Sequence, residues 1–316
     1  MDVLSDVITV TRTGRSRSAY VRWHAPWRQE FASVPGSAGF QVILQGSCWL
    51  LRPEAEPVRL GAGDVVFVPH GRGHTLADSP DTPVTDPPCG PADDQPSGTY
   101  VSGTFASDTV DRSGEDGPVT VVLCGACQLD PSRTHPLLLT LPDLIHLPAR
   151  AGRHPELSAA VQLLAAEVEN PRLGTDAAVP ALLDALLLYI LRIWFDGQSA
   201  LGDTTGWAAA LNDPPVTAAL HAVHRDPASP WTVATLAAEA GLSRAAFARR
   251  FALLVGQPPL GYLTWWRMTT AARLLRTSDA PLRSIAAQVG YTSEFAFANA
   301  FRRTHGTAPG TYRRRS

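Results

Sequence analysis

Residues able to bond base edges or phosphate oxygens gather in the last hundred positions, in two stretches of similar layout. The first, Thr232 to Phe251, holds Gly241, Ser243, Arg244, Arg249 and Arg250. The second, Leu282 to Arg303, holds Gly290, Ser293, Glu294, Asn299, Arg302 and Arg303. A guanidinium can bond guanine O6 and N7 together, and an asparagine amide can do the same with adenine N6 and N7. Elsewhere the residues whose types could do other chemistry are Cys48, Cys89, Cys124 and Cys127, and His74 at the end of Gly63-Asp-Val-Val-Phe-Val-Pro-His-Gly71-Arg-Gly-His74.

The elements that must position the first group are legible. Each stretch has a short Ala-rich helix, a Gly at the turn, a Ser N-cap, and a helix with Phe at i and i+4. Glycine permits the left-handed backbone that ends the first helix, and the serine caps the orphan amides of the second. This is a helix-turn-helix layout, whose second helix enters the major groove of double-stranded DNA. At about 100° per residue, Phe247, Phe251 and Leu254 form one stripe. Arg249 and Ala245 then point away, with Ala248 at the flank. In the second unit Phe297 and Phe301 face the core, Phe295 and Asn299 lie opposite, and Ala298 and Glu294 sit at the edges. Arg244, Ala245, Ala248, Arg249, Glu294, Phe295, Ala298 and Asn299 are therefore expected to face bases. Thr232, Ser243, Arg250, Ser293, Arg302 and Arg303, with the 313–315 arginines, are expected on phosphates, which fix register without reading sequence.

Between the units, Leu260–Arg276 reads as a helix of roughly 25 Å, a rigid spacer between two readers of one DNA face. Residues 215–314 resemble the DNA-binding domain of the AraC/XylS family of transcription regulators. The resemblance is carried by Trp266-Arg-Met268, Ala272, Leu274-Leu275, Ile285-Ala286, Val289-Gly-Tyr291, Ala296-Phe297, Ala300-Phe301 and Gly306-Thr-Ala-Pro309. Family members commonly carry longer polar side chains at positions 245 and 248 and an arginine at 299, so the operator sequence does not carry over.

Charge follows the same division. The chain has 316 residues and a formal charge of −2. Residues 215–316 hold thirteen arginines against Asp226, Glu239, Asp279 and Glu294, a net of +9, which leaves −11 on the rest. A basic half suits a polyanion and an acidic half another task. There is no lysine. The N-terminus lacks the basic-then-apolar layout of a secretory signal, which points to the cytoplasm. The apolar run Ala177–Phe195 is interrupted by Pro180, Asp184 and Arg192, so it reads as a buried or dimer-forming helix and not as a membrane span.

Residues 1–150 read as β-structure, with runs at Ser18–Trp23, Phe40–Leu44, Cys48–Leu51, Asp64–Val68, Thr99–Phe105 and Val119–Leu123 and loops at Ser79–Gly98 and Ser107–Gly117. Then Leu157, Val161, Leu164 and Val168 give an amphipathic helix, followed by a second from about Asp176 to Phe195. The Gly63–His74 stretch matches the second cupin signature, and the first half resembles the cupin sensory domains found ahead of AraC-type DNA-binding domains. The first cupin motif is missing: Phe40-Gln41-Val42-Ile43-Leu44 has no His-x-His. One histidine cannot make a catalytic metal site. No metal, cofactor or enzymatic activity is therefore expected, and a pocket near Gln41, Trp49 and His74 is. His74 reads equally as a satisfied core histidine. The cysteines read as buried thiols, as redox sensors, or as metal ligands.

The expected fold class is α+β: a cupin-like β-barrel over 1–150, a helical hairpin for dimerisation over 151–196, a linker over 197–214, and an all-α DNA-binding domain with two helix-turn-helix units over 215–316. Residues 206–316 are expected to fold alone on a core of their own. The implied function is a cytoplasmic, homodimeric regulator of transcription, controlled by a small-molecule effector or oxidant and acting on RNA polymerase. The alternative is a cupin enzyme tethered to a DNA-binding domain.

Overall fold

Short apolar runs punctuated by Gly, Pro and Asp build the β-part of this chain, and Ala- and Leu-rich periodic runs build the rest. A computed structural model describes residues 3–84, 90–91, 100–101, 108–112, 117–129, 135–149, 154–200 and 205–315. It divides into two units, one from 12–131 and 141–194, the other from 1–11, 132–140 and 195–316.

In the first unit the strands are β1 (Arg12–His24), β2 (Arg28–Phe31), β3 (Ser37–Gln45), β4 (Ser47–Leu51), β5 (Val58–Gly61), β6 (Val65–Val68), β7 (His74–Ala77), β8 (Gly90–Pro91), β9 (Tyr100–Val101), β10 (Asp108–Arg112), β11 (Val119–Leu129) and β12 (Ile145–Leu147). They form a six-stranded sheet, β10-β1-β11-β3-β6-β12, a four-stranded sheet, β2-β7-β4-β5, and the pair β8-β9. Most of the 79–98 loop and of the 99–105 run lies outside the described residues, and the stretch 107–117, read as a loop, contains β10. Strand alternation sends Ala19, Val21, Trp23, Ile43, Val122 and Cys124 of the large sheet into one core with Cys48, Leu50, Leu60 and Leu76 of the small one. All four residues of β6 are buried, which is why that strand is an unbroken apolar run and not an alternating one.

Two residues of the Gly63–His74 motif fix the fold. Asp64 accepts from the amides of Gly61 (3.1 Å) and Ala149 (2.6 Å) and from His146 Nε2 (3.2 Å). At Gly71, φ is +61° and a Cβ would lie 2.0 Å from the Val34 carbonyl oxygen, so only glycine fits. The amphipathic helix α3 (Pro155–Glu169) buries Leu157, Val161, Leu164 and Val168, as the spacing predicts. The following helix, α4 (Thr175–Ala200), takes Pro180 within its first turns and continues past it.

The second unit holds α1 (Val3–Thr11), α2 (Pro136–Leu139) and eight C-terminal helices. These are α5 (Gly206–Leu211), α6 (Pro214–Arg225), α7 (Val233–Glu239), α8 (Arg244–Val255), α9 (Pro259–Thr277), α10 (Leu282–Gln288), α11 (Glu294–His305) and α12 (Pro309–Arg315). Three features differ from the sequence reading. Residues 3–11 are helical where strands were expected. The stretch read as a linker contains α5, whose Trp207 is buried. The core of the DNA-binding part is not complete within 206–316, because α1 and residues 135–140 are parts of it.

A buried polar chain ties those segments in. The Leu137 amide donates to His135 Nδ1 (3.0 Å), so His135 carries its proton on Nε2 and donates to the Tyr262 hydroxyl (3.0 Å). Tyr262 must then donate to His224 Nε2 (2.6 Å), and His224 Nδ1–H to the Asp6 carboxylate (3.0 Å). This is the one proton arrangement that satisfies every atom of the chain. Burial holds the His135 imidazole well below its ordinary range, helped by His224. Burial, and then the Asp6 carboxylate, push the Tyr262 phenol well above its own.

Candidate DNA-binding surface and barrel cavity

The first helix-turn-helix, α7–α8, opens on a capping box. Thr232 Oγ1 accepts from the Thr235 amide (3.1 Å), and Thr235 Oγ1 from the Thr232 amide (2.8 Å). Gly241 turns the chain at φ +64°, Ser243 Oγ accepts from the Ala246 amide (3.3 Å), and Gly256 ends α8 in the left-handed region. The second, α10–α11, repeats the plan with Gly290, Ser293 (3.3 Å to the Ala296 amide) and Gly306. Gly290 has a second duty: a Cβ there would lie 2.6 Å from Arg267 Nη2 and 2.9 Å from the Ala228 carbonyl. That arginine spans back to the Pro227 and Ser229 carbonyls (2.7 and 2.8 Å).

The paired phenylalanines face inward as read. Phe247 and Phe251 are buried with rings 5.5 Å apart, against Tyr262 of α9. Phe297 and Phe301 are buried 5.8 Å apart, in one cluster with Met268, Leu275 and Ile285. The spacer α9 has nineteen residues, about 28 Å of helix.

On the opposite faces Arg244, Ala245 and Arg249 are exposed and Ala248 half-buried. Leu253 is 62% exposed. It follows Arg249 by one turn and extends the same face; the sequence reading passed over it, although the 100° rule places it there. On α11, Glu294 is exposed, Ala298 and Asn299 are half-buried, and Phe295 is 77% exposed. Among the described residues of its own unit, Phe295 therefore has no helix to pack against. Arg302 and Arg303 are exposed, and Arg302 Nη2 donates to Asn299 Oδ1 (3.3 Å).

Other cations serve the fold. Arg250, expected on phosphate, bonds Asp213 through Nε (2.7 Å) and Nη2. The same carboxylate caps α6 by accepting from the Val216 amide (3.0 Å). Arg313 donates to the Ala280 carbonyl (2.6 Å). The exposed hydroxyls of Thr232, Ser243 and Ser293 accept from helix amides as caps. The Thr232 O–H faces Thr235 Oγ1 (3.2 Å), whose own proton goes to the Thr232 carbonyl.

The other site lies between the two sheets of the first unit, a cavity of about 80 Å³. Gln41 of β3, next to Cys124 of β11 in the ladder, lines it from the large sheet. His74 of β7 and Phe31 of β2, paired in register and stacked at 4.9 Å, line it from the small one. Gln41 is 4% and His74 8% exposed, yet Gln41 Oε1 and His74 Nε2 have no hydrogen-bond partner among the described residues. Buried polar atoms are rarely left so. Trp49, expected here, does not line the cavity: on β4 it alternates with Cys48 and Leu50, whose side chains fill the core.

Cys48 and Cys124 are buried. Burial, and then the Asp64 carboxylate, push the Cys48 thiol up to about 12, far from the thiolate a redox sensor needs. Cys89 and the side chain of Cys127 lie outside the described residues. No three His, Cys, Asp or Glu side chains converge as a metal site among the described residues.

Two capped helix-turn-helix units on one spacer, preceded by a two-sheet β-domain, define a DNA-binding regulator with an appended pocket. A cupin family profile matches residues 2–196, and a helix-turn-helix domain profile matches 236–315. A protein named an AraC-like transcription regulator from Streptomyces antibioticus is 34% identical over 99% of both chains. One of the same description from Streptomyces lividans is 35% identical over 99% of this chain and 98% of its own. The DNA-binding domain of AdpA, solved with a target DNA, is 38% identical over 32% of this chain and 91% of that one, with a TM-score of 0.31. The chain belongs to the AraC-like transcription regulators, with a cupin N-terminal domain, and it is a DNA-binding protein.

Proposed function

We propose that this regulator is switched by a small molecule held in the β-domain cavity. The observation that carries the reading is the set of buried, unpartnered polar atoms on Ser18 and Gln41 of the large sheet and His74 of the small one, all lining one cavity. Sensing by Cys48 is disfavoured by its raised pKa. The protein acts without catalysis, in the compartment that holds the chromosome, with RNA polymerase as the partner its bound DNA presents. On that DNA, Arg244, Ala245, Ala248, Arg249, Glu294, Phe295, Ala298 and Asn299 face bases and Arg302 and Arg303 face phosphates.

A second copy of the chain pairs through α4. Within its Thr175–Gln198 span the most apolar eighteen-residue window has a mean hydropathy of 1.8, and a third of that window is buried. By length and composition alone it could cross a membrane. Leu182, Ala185, Tyr189 and Ile193 fall on one helical face and are only half-covered, an apolar surface suited to an isologous contact.

The test is a reporter driven by a DNA segment the protein selects, followed across growth conditions with wild type and with Ala126→Phe, which fills the cavity. A condition-dependent response in wild type that is locked in Ala126→Phe supports the reading. An intact response in the variant contradicts it. Replacing all four cysteines by Ser should leave the response in place.

A further inference from the structure

His74 reaches the cavity with its proton position fixed. Its Nδ1 lies 3.2 Å from the Arg72 carbonyl oxygen, which can only accept, so Nδ1 carries the hydrogen. Burial holds the imidazole below its ordinary range, and the ring is neutral. Nε2 is then a bare lone pair, a pure acceptor. Gln41 differs, because its amide can turn either its oxygen or its NH₂ group to the cavity.

The surroundings restrict charge. Among the described residues no carboxylate lines the cavity, and its one guanidinium, Arg72, is bonded to Asp143 (3.2 Å). Phe31, Val34, Val68 and Ala126 give the wall its apolar side chains, and the buried Ser18 hydroxyl, a neutral group that can donate or accept, lines it as well. A wider groove of about 720 Å³ shares Phe31, Val68, Arg72 and His74 with the cavity. Its space is enough for the body of a ligand whose polar head enters beside His74. Glu30, Arg52, Glu54 and Asp143 also line that groove, so the restriction on charge applies to the head in the cavity and not to the body.

Resting on the effector-pocket reading, we propose that the site recognises an uncharged, hydroxyl-bearing molecule, whose O–H donates to His74 Nε2 while its oxygen accepts from the Gln41 amide. A hydroxyl is the small neutral group that can do both at one atom. An ether or ketone cannot donate to His74. A carboxylate sets its charge against a lone pair, and an ammonium enters an apolar wall with no counter-ion.

The experiment titrates the full-length protein with phenol, anisole, toluene, benzoate and benzylammonium by calorimetry, and repeats phenol and anisole on His74→Phe and Gln41→Leu. His74→Phe keeps a ring against Phe31 while removing the acceptor. Phenol should bind about tenfold or more tighter than anisole and toluene, the factor expected when a buried acceptor would otherwise go unpaired. The charged probes should bind weakest. The phenol preference should collapse towards one in His74→Phe and shrink in Gln41→Leu. Should His74→Phe fail to fold, the wild-type ranking and Gln41→Leu carry the test. If anisole binds as well as phenol, or a charged probe binds best, the hydroxyl assignment is wrong while the pocket reading stands. If the preference persists in His74→Phe, the donor goes elsewhere and the assignment is again overturned. If no probe binds at millimolar concentration, the pocket reading itself falls, and the proposal with it.

Discussion

Replacing Tyr262 by Phe removes one oxygen from the centre of the buried chain that joins α1, residues 135–137, α6 and α9. That oxygen accepts from His135 Nε2–H and donates to His224 Nε2. Phe keeps the ring that packs on Phe251 at 5.9 Å, so the loss is polar. Two buried ring nitrogens lose their partner, at about 1–3 kcal/mol each. Allowing for some relaxation, Tyr262→Phe should cost about 2–5 kcal/mol, or roughly 5–15 °C in Tm for a unit of this size. Urea and thermal unfolding of the full chain, followed by circular dichroism, measure it. Asp6→Asn is the control: its amide oxygen can still accept from His224 Nδ1–H, so it should cost less than Tyr262→Phe. A Tyr262→Phe loss within about 0.5 kcal/mol, the scatter of neutral surface changes, would refute the proton assignment. So would an Asp6→Asn loss exceeding it.

Stability should fall on both sides of neutrality. His135 and His74, both held below their ordinary range by burial, stay neutral when folded but take up protons when unfolded below about pH 6.5. Stability is therefore lost as pH drops through that value, by up to about 1.4 kcal/mol per pH unit for each; urea midpoints at pH 7.5 and 5.5 check it. Above about pH 10 the unfolded tyrosine ionises while buried Tyr262 does not, and stability declines again. Gly290→Ala should cost more than Gly241→Ala in unfolding experiments: both have positive φ, about 1–2 kcal/mol in a left-handed residue, but only the Gly290 Cβ would meet Arg267 and the Ala228 carbonyl. Arg250→Ala should lower Tm, because Asp213 loses its partner, while leaving the salt slope of DNA binding unchanged.

The local devices of the C-terminal part were legible because they are short-range. Ser243 and Ser293 cap, Gly241 and Gly290 turn, and the Phe pairs fall on one helical face; each needs only neighbours within about four residues. The Leu157–Val168 stripe was readable for the same reason. What escaped the sequence was long-range. Asp213 claims Arg250 from thirty-seven residues away, and Asp6 meets His224 across 218; neither has a local signature. Trp207 sits among Gly, Asp and Thr, which read as linker, yet tertiary burial makes its stretch a helix. Trp49 reads as a pocket residue, whereas the pleat of β4 turns it away from Cys48 and Leu50. His74 was ambiguous as a lone histidine, and only the Arg72 carbonyl gives its ring a direction.

Selection of bound duplexes from a random library, with wild type, Arg249→Ala and Arg302→Ala, tests the claim that α8 and α11 read DNA. Wild type should return two short elements about one helical turn apart. Arg249→Ala should lose preference at one base pair and about 1–3 kcal/mol of specific affinity. Arg302→Ala should weaken every duplex alike and lower the salt slope by about one unit. If Arg249→Ala instead loses the same affinity for every duplex and keeps the wild-type consensus, the assignment of α8 as a base reader is contradicted.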